Sequence, residues 1–197
     1  MEGPLPLARH DVAGMELVVG AASDDARSLR DEVQTDVSRE TSERRPLILA
    51  IESSCDETAA AIVDGNGTLI ADVVASQIDF HARFGGVVPE IASRKHVEAV
   101  SGLAREALER AGLSREEVDG VAVTYAPGLI GAVLVGVNFA KGAALALDRP
   151  LIPVHHVRGH IAANYLTHPD LEPPFVCLCV SGGTTAIVDV RSYTEME

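Results

Sequence analysis

Between Val121 and His160 the chain passes twice from a short apolar run straight into a helical one. Two strands joined through a helix form an α/β unit with buried parallel strands, and this repeat constrains the fold more than any other feature. The first pass runs from Val121–Thr124 through Ala126-Pro127-Gly128-Leu129-Ile130-Gly131 into a small-residue helix that ends at Leu147. Asp148-Arg149-Pro150 breaks that helix. The second pass is Leu151–Val154, followed by His155-His156-Val157-Arg158-Gly159-His160. Composition agrees with this architecture. Aromatics make up 4% of the 197 residues and Trp is absent, so the core must be Val, Ile, Leu and Ala.

Three of the seven histidines fall in that second transition. With a helix starting near His156, His156 and His160 stand at i and i+4, about 5–6 Å apart at Cβ. Two neutral imidazoles at that spacing can share one metal ion. His155 points roughly 100° away around the helix, which makes it the poorer ligand. A histidine pair on a helix is otherwise a polar contact or a solvated face. Its place after a strand end, where parallel sheets put their ligand crevices, tips the reading toward metal. Val157 occupies the position of the general base in a zinc peptidase helix, which disfavours peptide hydrolysis.

Upstream, Leu47–Ile51 reads as a buried strand, Glu52-Ser53-Ser54-Cys55-Asp56-Glu57-Thr58 as an acidic, hydroxyl-rich loop, and Ala59–Val63 and Thr68–Ala75 as a hairpin around Asp64-Gly65-Asn66-Gly67. Such a loop can orient a phosphate or its metal, and it can equally be an ordinary polar turn. Phe84–Pro89 is a glycine-bearing connection. Ile91–Ala111 is a long helix with an apolar stripe that includes Val97 and Val100. Ser114-Arg115-Glu116-Glu117 is a capping box. The turn at Ala126–Gly131 suits an anion at a helix N-terminus or tight helix-on-sheet packing about equally. Phe175–Val180, Ser181-Gly182-Gly183-Thr184-Thr185 and Ala186–Val190 form a strand, a second candidate phosphate loop and a return strand. Cys177 and Cys179 share one face as buried, inert thiols.

The net charge of −13 excludes a general phosphate-attracting surface. Any RNA must be held by a partner or a local patch, and the one local cluster, Arg94-Lys95-His96, reads best as a solvated helix face. Three cysteines fit a reducing cytosol. No secretory signal is expected, and Leu129–Leu147, interrupted by Asn138 and Lys141, reads as a core helix and not a membrane span. Residues 1–46 carry ten acids and six bases. They read as a mostly disordered acidic extension, with a weak helix over Ser23–Glu43 as the minor alternative.

From Leu47 to about Val190 the sequence resembles the N-terminal half of the TsaD/Gcp (glycoprotease) family of tRNA N6-adenosine threonylcarbamoyltransferases. The resemblance is carried by Ile51–Thr58, Phe84–Arg94, Ala126–Gly131, His155-His156-x-x-Gly159-His160 and Val180–Gly183. It implies the actin-like ATPase (ASKHA) fold, an α/β architecture of two lobes, here a first lobe over 47–170 and the first hairpin of a truncated second lobe over 171–197. It implies transfer of the threonylcarbamoyl group from threonylcarbamoyl-AMP to N6 of adenosine 37 in tRNAs reading ANN codons. His156 and His160 match the family's metal ligands, for one divalent ion, iron or zinc, whose third ligand is an Asp of the second lobe. Cys179, Val180, Ser181, Gly182 and Gly183 match its substrate loop, although Thr184 stands where the family usually has His. Asp56 and Glu57 match its catalytic acids. TsaB-like and TsaE-like partners, tRNA as a transient partner and a cytoplasmic location follow from the same resemblance. The competing expectations are a non-catalytic half-lobe that scaffolds TsaB-type partners, and an actin-like sugar kinase.

Overall fold

The computed structural model describes residues 8–12, 15–21, 45–180 and 185–197. Two compact units emerge, one spanning Arg44–Val157 and the other combining Met1–Glu43 with Arg158–Glu197.

The unit 44–157 is built on a five-stranded mixed sheet. Its strands are β3 (Leu47–Glu52), β4 (Glu57–Asp64), β5 (Leu69–Ser76), β6 (Gly120–Ala126) and β7 (Leu151–His155), in the order β5-β4-β3-β6-β7. The β3–β4 and β4–β5 pairs are antiparallel, while β3–β6 and β6–β7 are parallel. The hairpin and the two strand-to-helix transitions therefore meet in one sheet. Asp64 fixes the β4–β5 turn by accepting the N–H groups of Asn66 and Thr68, each at 2.9 Å. A one-turn helix, α1 (Ile78–Ala82), follows β5.

Two long helices, α2 (Pro89–Ala111) and α3 (Ile130–Leu147), pack on the sheet and on each other. Alternation along β4 sends Thr58, Ala60 and Ile62 into the core, where they join Leu49, Ile51, Val121 and Val123. From the helices come Val100, Leu103, Ala104 and Ala107 of α2 and Ala140 and Ala144 of α3. Small residues on α3 permit the close approach. A Cβ on Gly136 would lie 2.4 Å from Ser53 Oγ, and one on Gly128 would lie 2.7 Å from the Ser54 carbonyl oxygen. The glycines of this turn and helix thus serve packing against the β3–β4 loop. Helix α3 is long and apolar enough to cross a membrane by length and composition alone. Its Ala132, Val133, Gly136, Ala140 and Ala144 are buried, and it contacts β6 and α2.

The α2 stripe differs from the expected one. Val97 is 62% exposed, and the fully buried His96 takes its place between Ala92 and Val100. The 92/96/100/103/107 spacing is the true core-facing row, and a histidine completes it because its two ring nitrogens find partners there. The capping box at Ser114 is present, with Glu117 Oε2 accepting from the Ser114 N–H at 2.8 Å.

The second unit contains a four-stranded antiparallel sheet in the order β1-β2-β8-β9: β1 (Ala8–Val12), β2 (Met15–Ala21), β8 (Phe175–Val180) and β9 (Thr185–Val190). The 1–46 segment, read from sequence as a disordered extension, therefore contains two strands. The run Leu17-Val18-Val19 within β2 pairs with Cys179, Leu178 and Cys177 of β8. A helix over 23–43 lies outside the described residues. The second unit also takes in most of helix α4 (His156–Thr167). The boundary between the two compact units falls at Val157/Arg158.

Candidate functional site

The parallel strands β3, β6 and β7 all end on the same side of their sheet. There they deliver Glu52, Thr124 and, one residue past β7, His156. Such carboxyl ends are where open α/β sheets bind ligands. Glu52 is the last residue of β3 and His156 the first of α4. Glu52 Oε2 and Ser54 Oγ each lie 3.2 Å from His156 Nδ1. The Ser54 N–H donates to Glu52 Oε1. Both oxygens of the carboxylate are therefore engaged.

Burial raises the pKa of Glu52, but hydrogen bonds from His156, Ser54 and Thr124 outweigh it and bring the carboxyl down to about 2. Glu52 is thus an anion at any physiological pH. The adjacent Cys55 thiol moves the other way. Burial, with Asp56 and Glu52 close by, pushes it up to about 11. Cys55 is a neutral thiol and not a nucleophile.

The loop that carries these groups is held from two further sides. His96 Nε2 lies 3.0 Å from the Cys55 carbonyl oxygen, and His96 Nδ1 lies 2.7 Å from Thr58 Oγ1. The carbonyl can only accept, so Nε2 carries the proton and the Thr58 hydroxyl donates to Nδ1. Ser53, 1% exposed, donates to the Ala132 carbonyl at 2.9 Å and accepts the Gly136 N–H at 3.1 Å. It bridges two groups that a regular helical turn would pair directly. The Ser54 carbonyl accepts the Leu129 N–H at the start of α3, at 2.8 Å.

The sequence candidates fall as follows. Asp56 and Glu57 are partly buried on this same loop. The Asp56 carbonyl accepts the Gln77 N–H at 2.9 Å, and Glu57 opens β4 opposite Ser76. His156 and His160 share helix α4 one turn apart. His155 ends β7 and lies edge-on to Tyr125 at 6.4 Å, its Nδ1 buried without a partner among the described residues. Cys179 and Val180 belong to β8. Cys179 is fully buried, with its Sγ 3.8 Å from that of Cys177. Burial and the neighbouring thiol push Cys177 up to about 12. Ser181, Gly182, Gly183 and Thr184 lie outside the described residues. Among the described residues no three His, Cys, Asp or Glu side chains come together as a metal cage.

Two members of this cluster are not apparent from the sequence. Glu52 reads as one more loop acid, and His96 as part of a solvated basic face. Arg94 and Lys95 do lie on the surface, paired with Glu90 at 2.7 Å and Glu98 at 2.8 Å. His96 turns inward instead. The signal for it was its position four residues from both Ala92 and Val100.

A family model described as TsaD, tRNA N6-adenosine threonylcarbamoyltransferase, matches residues 68–197. The chain belongs to the tRNA N6-adenosine threonylcarbamoyltransferase family. Relatives carrying that name include one from Clostridium perfringens strain SM101, 58% identical over 153 residues, or 78% of this chain and 45% of the relative. One from Clostridium novyi is 57% identical over 150 residues, covering 76% and 44%. The chain thus spans less than half the length of the family members it matches. Among solved structures, YeaZ from Pseudomonas aeruginosa aligns with a TM-score of 0.46 at 19% identity, over 72% of this chain and 65% of that one.

Proposed function

We propose that the chain contributes the first lobe of an actin-like threonylcarbamoyltransferase, which moves the threonylcarbamoyl group of threonylcarbamoyl-AMP to N6 of adenosine 37 in tRNAs reading ANN codons. The observation that carries this is the Glu52–His156 contact at the carboxyl ends of β3 and β7, with His156 heading the helix that bears His160. An imidazole backed by a carboxylate suits a borderline divalent ion such as iron or zinc, and His160 offers a second nitrogen. The third ligand is an Asp from outside these 197 residues. A bound ion supplies Lewis-acid polarisation of a phosphoryl or carbonyl oxygen.

The chain's own residues supply the remaining parts. Asp56 and Glu57 orient the adenylate and the incoming amine at the mouth of the β3–β4 loop. By the family resemblance Cys179–Gly183 are the substrate-loop positions, with the fully buried Cys179 anchoring the end of β8 and not touching the ligand. The surface ion pairs and the −13 charge leave tRNA to be held by TsaB-like and TsaE-like partners in the cytoplasm. The test is a reconstitution. The chain, as it occurs in its source, is incubated with those partners, threonylcarbamoyl-AMP and unmodified tRNA, and nucleosides are quantified by mass spectrometry. Formation of threonylcarbamoyladenosine, lost in His156→Ala, is expected. Partner binding without any transfer would replace this reading with a scaffold.

A further inference from the structure

We propose that Glu52 is a positioning residue for metal binding: its carboxylate keeps the ring proton of His156 on Nδ1 and so presents Nε2 as the ligand nitrogen. The inference rests on the reading that His156 ligates a divalent ion, and it adds the residue that selects which nitrogen does so.

The argument is one of donors and acceptors. Glu52 Oε2 faces His156 Nδ1 at 3.2 Å, and an ionised carboxylate can only accept. That contact is a hydrogen bond only if the proton sits on Nδ1. The alternative tautomer would set the Nδ1 lone pair against a carboxylate oxygen, a repulsive arrangement with both groups partly buried. Ser54 Oγ, also 3.2 Å from Nδ1, does not reverse the choice. A hydroxyl both donates and accepts, and it can turn to suit the ring. The carboxylate itself is not free to drift. Glu52 is in register with Ala59 of β4 at the end of the β3 ladder, and Oε1 is held by the Ser54 N–H. The sheet therefore delivers the acceptor and α4 delivers the ring. Neutral imidazole in water prefers its proton on Nε2, so the protein imposes the less common form. Metal-bound histidines share this arrangement, with the non-ligating N–H given to a carboxylate, carbonyl or water.

Glu52→Gln makes the inference sharp. The amide is isosteric, but its NH2 can donate to Nδ1, which moves the ring proton to Nε2 and masks the ligand nitrogen. Ser54→Ala removes the hydroxyl and keeps the backbone N–H on Oε1.

The test uses the full chain with 15N-labelled histidine rings. Long-range proton–nitrogen spectra near neutral pH read the tautomer without any metal, and His156→Ala identifies the signal. In the wild type and in Ser54→Ala, Nδ1 is expected as the protonated nitrogen. In Glu52→Gln the proton is expected to move largely to Nε2. Calorimetric titration with Zn2+ alone should then show a loss of affinity of about 10- to 100-fold in Glu52→Gln. A wild-type His156 protonated on Nε2 overturns the proposal from one spectrum, so the test survives a variant that fails to fold. If His156→Ala binds Zn2+ as tightly as the wild type, the metal reading itself falls and the proposal with it. If His156→Ala loses Zn2+ but Glu52→Gln keeps wild-type affinity and tautomer, the metal reading stands and Glu52 is discarded.

Discussion

Two histidines grip the β3–β4 loop, and they do so differently. His96 comes from α2, is fully buried, and has both ring nitrogens tied to neutral protein groups, Thr58 and the Cys55 carbonyl. His156 comes from the start of α4, is about a quarter exposed, and has its Nδ1 against an anion. The first arrangement spends both nitrogens on holding the loop in place. The second places a ring against a carboxylate at the carboxyl ends of the parallel strands. The same residue type thus meets the loop in two ways, with neutral, enclosed partners in one case and a charged, partly exposed partner in the other.

The largest effect that would test this contrast is on stability. His96→Ala leaves the Thr58 hydroxyl and the Cys55 carbonyl without partners inside the protein and opens a cavity, at a cost of about 3 kcal/mol. His156→Ala, at the rim, should cost about 1 kcal/mol or less. Urea unfolding midpoints of the two variants measure the difference, and equal losses would break the comparison. An intermediate effect comes from the third hold on the loop. Gly136→Ala drives a methyl group into Ser53 Oγ and should destabilise by about 1–3 kcal/mol, read from the same unfolding curves. A neutral outcome would mean that Ser53 yields easily and that the histidines alone fix the loop.

The smallest effect is chemical and follows pH. The Cys55 thiol is raised from 9.0 to about 11, chiefly by burial. The unfolded chain therefore loses this proton first. The contribution of Cys55 to stability is intact below pH 9 and falls as pH rises from 9 towards 11. Iodoacetamide labelling at pH 8 should accordingly be slow at Cys55. It should quicken in His96→Ala, which frees the Cys55 carbonyl, and change less in His156→Ala. The reverse order, measured by peptide mass spectrometry, would show that the rim histidine is the one that holds the loop.

Much of the sheet was legible in the sequence because its signals are local. Alternation marks β4, the Asp64 turn marks the hairpin, and the small-residue row marks α3. The roles of Glu52 and His96 were not legible, because each depends on groups far along the chain. His156 is 104 residues from Glu52, and His96 is 38 and 41 residues from its two partners. No window of sequence contains such a pair. The two N-terminal strands were missed for a related reason. Charge dominates the composition of residues 1–46, and the short run Leu17-Val18-Val19 becomes a strand only by pairing with β8. The helical histidine spacing was the exception. Its periodicity places His156 and His160 on one helix, and the structure gives that helix.

The hydroxyl that Ser53 inserts between Ala132 and Gly136 makes one amide of a core helix depend on a loop. When the loop lifts, the Gly136 N–H loses a partner and exchanges with solvent more freely. A single backbone amide in the middle of α3 is therefore a built-in gauge of how firmly the β3–β4 loop is held. Hydrogen exchange at that one position would register ligand, metal or partner engagement at the loop without any label near the site.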